Sequence, residues 1–156
     1  MTPRRFWVAV TAVVLLAMSL QLPSLAMGFV WDDLNSFSAD TDALGCLSGP
    51  GACFTHAASG HYYRPLFGAS MMASFHLFGG APGPMHAENL GWFALELALV
   101  LAIARRVFGA ADPRAVLALA IVALHPIQNS AVSTYPTFWN IRIHFFIYIY
   151  KNQAVQ

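Results

Sequence analysis

The sequence has few charged residues. Eight Lys and Arg and seven Asp and Glu make up 10% of its 156 residues, whereas 58% are hydrophobic and 13% are aromatic. Soluble domains carry about 25% charged residues, so this composition excludes a water-soluble globule. The aromatic content excludes a disordered chain, and a formal net charge of +1 without a basic patch excludes a nucleic-acid binder. The composition indicates an integral membrane protein.

Motifs that identify a catalytic site by pattern alone are also lacking. The sequence has no Gly-rich phosphate loop, no HExxH motif, no nucleophile elbow and no N-glycosylation sequon. It has two cysteines, Cys46 and Cys53, on either side of a Ser-Gly-Pro-Gly turn. In an oxidising compartment they can close a small disulfide loop, and the alternative is two free thiols. A structural zinc site is disfavoured because a second ligand pair is missing.

Three apolar segments, each of about 20 residues, predict transmembrane helices over residues 6–27, 85–104 and 114–135. Arg4 and Arg5 precede the first span, and Arg105 and Arg106 follow the second. Cationic residues beside a span usually remain in the cytoplasm, so the N-terminus is expected there and the loop 28–84 outside. We expect a bacterial inner membrane or a plasma membrane.

The first span also fits a second interpretation. Two arginines, an apolar core and the run Pro23-Ser24-Leu25-Ala26 are typical of a cleavable signal peptide. The residues alone leave cleavage and retention open.

The apolar run from Pro65 to Phe78 is too short to span a membrane and predicts an interfacial or buried helix. Gly79 and Gly80 end it. Its Met and aromatic stripe indicates membrane or core contact. The predicted fold class is therefore an all-α membrane protein, with about three transmembrane helices and an outer-face loop that contains a short interfacial helix.

Residues 140–156 differ in composition from the first 139. Four of the seven isoleucines lie between Ile141 and Ile149, and the single lysine is Lys151. Such a shift is expected of a frameshifted or truncated tail, and a genuine fourth span is the alternative. No function is assigned to these residues.

Two adjacent carboxylates, Asp32 and Asp33, follow the first span directly. Paired acids beside a membrane can act as a general base or bind a cation, because like charges and partial burial raise one pKa. The alternative is a solvated acidic loop.

Arg64, which follows Tyr63, is the one Lys or Arg between Arg5 and Arg105. A guanidinium suits bidentate recognition of a phosphate or carboxylate. The alternative is contact with lipid headgroups, which Arg and Tyr commonly make at membrane interfaces.

Polar residues also occur in the second and third spans. His86 and Asn89 share a face at the predicted outer end of the second span, and His125 lies at the outer end of the third. Glu96 lies in mid-span, nearly three turns from His86, and we interpret it as a residue paired within the helix bundle.

These motifs, in this order, resemble the start of a GT-C class membrane glycosyltransferase, in the protein O-mannosyltransferase-like branch that includes membrane proteins with tetratricopeptide tails. The resemblance covers residues 6–135. It rests on the segments Phe29-Val30-Trp31-Asp32-Asp33, Tyr63-Arg64-Pro65-Leu66, His86-x-x-Asn89 and Leu124-His125-Pro126. The pattern usually carries a second histidine seven residues after the first, where this chain has Phe93.

The resemblance implies transfer of a sugar from a polyprenyl-phosphate donor to a protein or glycan acceptor at the outer membrane face, beside membrane lipid. Asp32 or Asp33 would be the catalytic base and Arg64 would bind the donor phosphate. Tyr63, His86, Asn89 and His125 would be supporting polar groups. No cofactor is required by the resemblance, and a divalent metal stays open.

The resemblance also favours a retained first helix, because the acidic motif follows that helix directly. The short chain then predicts an N-terminal fragment that is inactive alone. The alternative function is a small non-enzymatic membrane scaffold or lipid-binding protein.

Overall fold

A computed structural model of the protein describes residues 1–29, 51–55 and 65–128. Within these ranges the regular elements are helices, and there is no strand. The α-helices are α1 (Pro3–Gln21), α2 (Pro65–Phe78), α3 (Pro82–Phe108) and α4 (Pro113–Ala123). Two short 3-10 helices cover Leu22–Ala26 and Ala52–Phe54.

The chain divides into two compact units. The first consists of Met1–Ala26 and His86–Ser133, so that it holds α1, α4 and most of α3. The second consists of Met27–Met85 and Thr134–Gln156 and holds α2.

Helix α1 begins at a local start signal. The side chain of Thr2 accepts a hydrogen bond from the Arg5 backbone N–H at 3.4 Å, and Pro3 stands in the first turn, where its missing N–H costs nothing. Pro23 follows the helix closely, and the backbone tightens there into a 3-10 turn. The Ser24 hydroxyl donates to the Gln21 carbonyl at 2.7 Å.

Helices α1 and α4 pack against each other in the first unit. The buried residues of each helix recur at helical spacing, which makes one continuous face: Phe6, Val10, Ala17 and Gln21 on α1, and Ala115, Leu119 and Ala123 on α4. Small alanines on the α4 face let two helix backbones approach closely.

The first unit gathers its arginines at one end. The Arg105 guanidinium, near the C-terminus of α3, lies 5.0 Å from the centre of the Trp7 ring and 5.8 Å from that of Phe6. It also donates from Nε to the Ala110 carbonyl at 3.1 Å. These contacts bring the end of α3 to the beginning of α1.

Asp112 lies in the turn between α3 and α4 and caps the N-terminus of α4. Its carboxylate accepts from the Arg114 backbone N–H at 2.8 Å and forms an ion pair with the Arg114 side chain at 2.9 Å. These hydrogen bonds hold the pKa of Asp112 at about 2, below its ordinary value.

In the second unit, α2 ends in a glycine turn. Gly79 and Gly80 have φ angles of 61° and 72°, which glycine adopts without a steric cost. The Gly80 N–H donates to the Phe75 carbonyl at 3.1 Å and satisfies a terminal carbonyl of the helix. Met71 and Met85 are fully buried and form the centre of a small apolar cluster.

The helices differ in length from the predicted spans. One helical segment of the described residues, Pro3–Ala26, is long and apolar enough to cross a membrane, and it lies near the N-terminus, where a signal sequence would also pass that test. Helix α3 extends the predicted span 85–104 at both ends, whereas α4 ends at Ala123, well before residue 135. The helix predicted from Pro65 to Phe78 is present with those bounds. A count of about three spans stays a prediction.

Candidate functional site

Some of the predicted site residues lie in the described part of the chain. His86, Asn89 and His125 do, and all three belong to the first unit. The predicted catalytic, donor-binding and disulfide positions Asp32, Asp33, Tyr63, Arg64 and Cys46 lie outside the described residues. The backbone of Cys53 belongs to the short 3-10 helix Ala52–Phe54.

His86 and Asn89 lie one turn apart on the buried face of α3, and each is 0% exposed. Neither ring nitrogen of His86 has a hydrogen-bond partner among the described residues. A buried polar group without a partner costs about 1–3 kcal/mol, so such groups are uncommon in proteins. Among the described residues, the His86 imidazole is therefore a buried polar group whose two ring nitrogens have no hydrogen bond.

The same face of α3 continues toward its C-terminus. Phe93, which occupies the position where the resemblance expects a second histidine, is fully buried. Phe93 lies about one turn after Asn89 on the same face, and its apolar ring cannot supply the side-chain hydrogen bond that a histidine would.

Glu96 is paired across the bundle, as the sequence predicts. The Gln128 amide donates from Nε2 to Glu96 Oε1 at 3.4 Å, and both residues are buried. The two residues are 32 positions apart. This hydrogen bond joins the middle of α3 to the segment that follows α4, and it gives Glu96 a structural role.

His125 is exposed and takes part in a helix start. The backbone leaves the α-helix at Leu124, and helical structure resumes at Pro126. The Ile127 N–H donates to His125 Nδ1 at 3.2 Å, and the Gln128 N–H donates to the His125 carbonyl at 2.9 Å. His125 thus caps the resumed helix, with Pro126 in its first turn.

Buried polar residues that sequence reasoning missed are Gln21, Ser24, Ser74 and Gln128. The run that begins at Gln128 suggests exposure at the outer surface, yet Gln128 is buried because its amide reaches Glu96. Gln21 is the polar residue at the end of an apolar span, which is the signal that could have identified it.

The described residues contain no group of three or more His, Cys, Asp or Glu that could hold a metal ion. Glu88, two residues after His86, accepts from the Trp92 indole N–H at 3.2 Å. A divalent metal therefore stays open and depends on residues elsewhere in the chain.

Comparison with known proteins gives one informative relationship. The chain is 34% identical over 128 residues, or 76% of its length, to the protein O-mannosyl-transferase Tmtc2 of Drosophila melanogaster. The chain spans 13% of the length of that relative. No family model matches the chain, and no solved structure matches it. The relationship is mannosyltransferase-like and agrees with the resemblance found in the motifs.

Proposed function

We propose that this chain is the N-terminal part of an integral membrane glycosyltransferase, which transfers a sugar from a polyprenyl-phosphate donor to a protein or glycan acceptor at the outer membrane face. The observation that carries the proposal is the 34% identity to a protein O-mannosyl-transferase. The burial of His86 and Asn89 without exposure to solvent supports it, because a membrane segment keeps such polar groups chiefly for function.

The proposed activity belongs to a longer protein. The relative is a whole transferase, of which this chain spans 13%. A donor with a polyprenyl chain needs further spans to enclose it, so the 156 residues supply part of the site and are inactive alone. The first helix is retained in this proposal, because it holds the acidic pair of Asp32 and Asp33 at the membrane surface.

The proposed reaction is a displacement at the anomeric carbon of the donor sugar. Asp32, with Asp33 as the second candidate, accepts the proton of the acceptor hydroxyl as its oxygen bonds to that carbon. The bond from the carbon to the phosphate oxygen breaks, and polyprenyl phosphate leaves with its negative charge bound by Arg64. Tyr63, His86, Asn89 and His125 support the bound substrates.

The test replaces each acidic residue in the full-length protein. Asp32→Asn and Asp33→Asn are compared with Asp40→Asn and Asp42→Asn, which remove the same charge from the same loop. Loss of a general base lowers transfer by about 10²–10⁴-fold, and we expect one of the first pair to show this loss while the second pair does not. Unchanged transfer by both Asp32→Asn and Asp33→Asn would end the proposed base role.

Metal dependence is tested on the same preparation. Radiolabelled sugar transfer is measured with a chelator and again after a divalent cation is restored. Loss and recovery of transfer would add a metal to the site, and unchanged transfer would leave the carboxylate as a base alone.

A further inference from the structure

Two shallow, open grooves lie side by side along the exposed side of α1 and share Arg4, Val8 and Ala12. The larger, about 470 Å³, is lined by Arg4, Trp7, Val8, Thr11, Ala12 and Leu15. The smaller, about 360 Å³, is lined by Arg4, Arg5, Val8, Ala9 and Ala12. Both grooves therefore have arginine at one end, and beyond it their lining is apolar except for Thr11 in the larger groove.

The arginines at the groove end are available to a ligand. Two other arginines at that end of the unit are engaged, since Arg105 contacts the Trp7 ring and a backbone carbonyl and Arg114 is paired with Asp112, whereas the exposed Arg106 lies outside both grooves. Arg4 and Arg5 are exposed and form no ion pair within the described part of the chain. The positive charge at this end of the grooves therefore favours an anionic ligand.

We propose that the paired grooves of α1 bind one anionic diacyl phospholipid, with its phosphate on Arg4 and Arg5 and one acyl chain in each groove. The arginine end matches the headgroup by charge, and the apolar walls match the chains. Arg4 and Leu15 are eleven residues apart, or about 16 Å along the helix, which is about half of the 30 Å hydrocarbon core. The larger groove thus spans one leaflet.

Trp7 strengthens this assignment. Its ring lines the larger groove near the arginines and is 47% exposed. Tryptophan is favoured at the level of lipid headgroups, where one side of the ring meets hydrocarbon and the indole N–H meets polar groups. The groove therefore changes from polar to apolar at the depth where a phospholipid does.

The charge test uses the full chain, purified in a neutral detergent and examined by native mass spectrometry. Dioleoyl phosphatidylglycerol and dioleoyl phosphatidylcholine are the two probes. A basic residue near a lipid surface contributes a factor of about five in affinity, so Arg4→Gln should weaken phosphatidylglycerol binding about five-fold and the Arg4→Gln/Arg5→Gln variant about 25-fold. Arg106→Gln, an exposed arginine outside both grooves, is the matched control and should leave binding unchanged.

Equal losses in Arg4→Gln and Arg106→Gln would overturn the site in favour of a diffuse basic surface. Equal binding of phosphatidylcholine and phosphatidylglycerol by the unaltered chain would overturn it too.

The second test fills the two grooves with a larger side chain and leaves the charge of the protein unchanged. Ala12 lines both grooves and is exposed, so Ala12→Leu should exclude the acyl chains and weaken phosphatidylglycerol adducts without disturbing the core. Ala102→Leu adds the same atoms at an exposed position of α3 and should bind as the unaltered chain does. Circular dichroism checks that helix content is retained. Unchanged phosphatidylglycerol binding by Ala12→Leu would overturn the proposal.

Discussion

At the residue scale, His125 illustrates how a side chain with catalytic potential can have a structural use. In the sequence it stands in a Leu-His-Pro segment and is a candidate supporting group. In the structure its Nδ1 accepts from the Ile127 N–H at 3.2 Å and caps the helix that resumes at Pro126. Capping and participation in transfer are separate roles, and a pair of substitutions distinguishes them.

We expect His125→Leu to lower the free energy of unfolding by about 1 kcal/mol, because leucine has no side-chain acceptor for the cap. His125→Asn should retain most of the stability, since asparagine is a favoured capping residue. Thermal denaturation in detergent measures both. In the full-length protein, normal transfer by His125→Asn would show that the imidazole has no chemical part.

Asp112 gives a pH-dependent prediction. Its pKa is lowered from 3.8 to about 2 by the hydrogen bonds from Arg114, so the folded state binds the Asp112 proton more weakly than the unfolded state does. The stabilisation is complete above about pH 4 and is lost as the pH falls toward 2. The melting temperatures of the unaltered chain and Asp112→Asn should therefore differ at pH 6 and converge by pH 2. A difference that is independent of pH would contradict this assignment.

At the element scale, the helices begin and end at local signals. Pro3, Pro65, Pro82 and Pro113 each stand at the first residue of an α-helix, and glycines follow the ends of α2 and α3. Proline is favoured in a first turn and glycine after a last turn, so these positions are readable in the sequence. The same reasoning explains why the helix over Pro65–Phe78 was predicted with its observed bounds.

Gly80 is the end signal with the strongest steric requirement. A Cβ at this position would lie 2.8 Å from Cε2 of Phe75, and the φ of +72° is strained for other residues. We expect Gly80→Ala to destabilise the protein by about 1–2 kcal/mol. The control is Gly91→Ala within α3, where nothing lies within 4 Å, and it should raise stability by about 0.5–1 kcal/mol. Melting temperatures that move in the same direction would contradict the argument.

At the scale of the whole molecule, the first unit places the N-terminus beside the turn between α3 and α4. The Arg105 guanidinium over the Trp7 ring brings the start of α1 and the end of α3 together, and the turn that contains Ala110 adjoins them. If both helices cross the membrane, the N-terminus and this turn lie on one side. The sequence predicts that this side is cytoplasmic, with the loop 28–84 on the other.

Labelling of introduced cysteines tests that topology. In a Cys46→Ser/Cys53→Ser background, Ala110→Cys and an N-terminal tag should be reached from the cytoplasmic side only. Ser48→Cys should react with an impermeant maleimide added outside. Labelling of Ala110→Cys and Ser48→Cys from the same side would contradict the arrangement of the first two spans.

The identity of the candidate site residues and their burial depend on different kinds of information. The order of the motifs predicts which residues to examine, and the similarity to a protein O-mannosyl-transferase agrees with it. Burial was harder to predict: Gln128 looks like a surface residue by its polar neighbours, yet it is buried against Glu96. The burial of a polar side chain depends on a partner that is distant in the chain, which no local pattern contains.

Composition and local chemistry were enough to predict a helical chain, an apolar helix near the N-terminus and the bounds of the helix over Pro65–Phe78, because apolar content, proline and glycine act within a few residues of themselves. The tertiary structure decided which polar groups are enclosed and which arginines are occupied. His86 is buried without a partner among the described residues, and Glu96 accepts a hydrogen bond from Gln128. Arg105 lies over the Trp7 ring, whereas Arg4 lines the grooves. These outcomes follow from contacts between helices that are far apart in the chain.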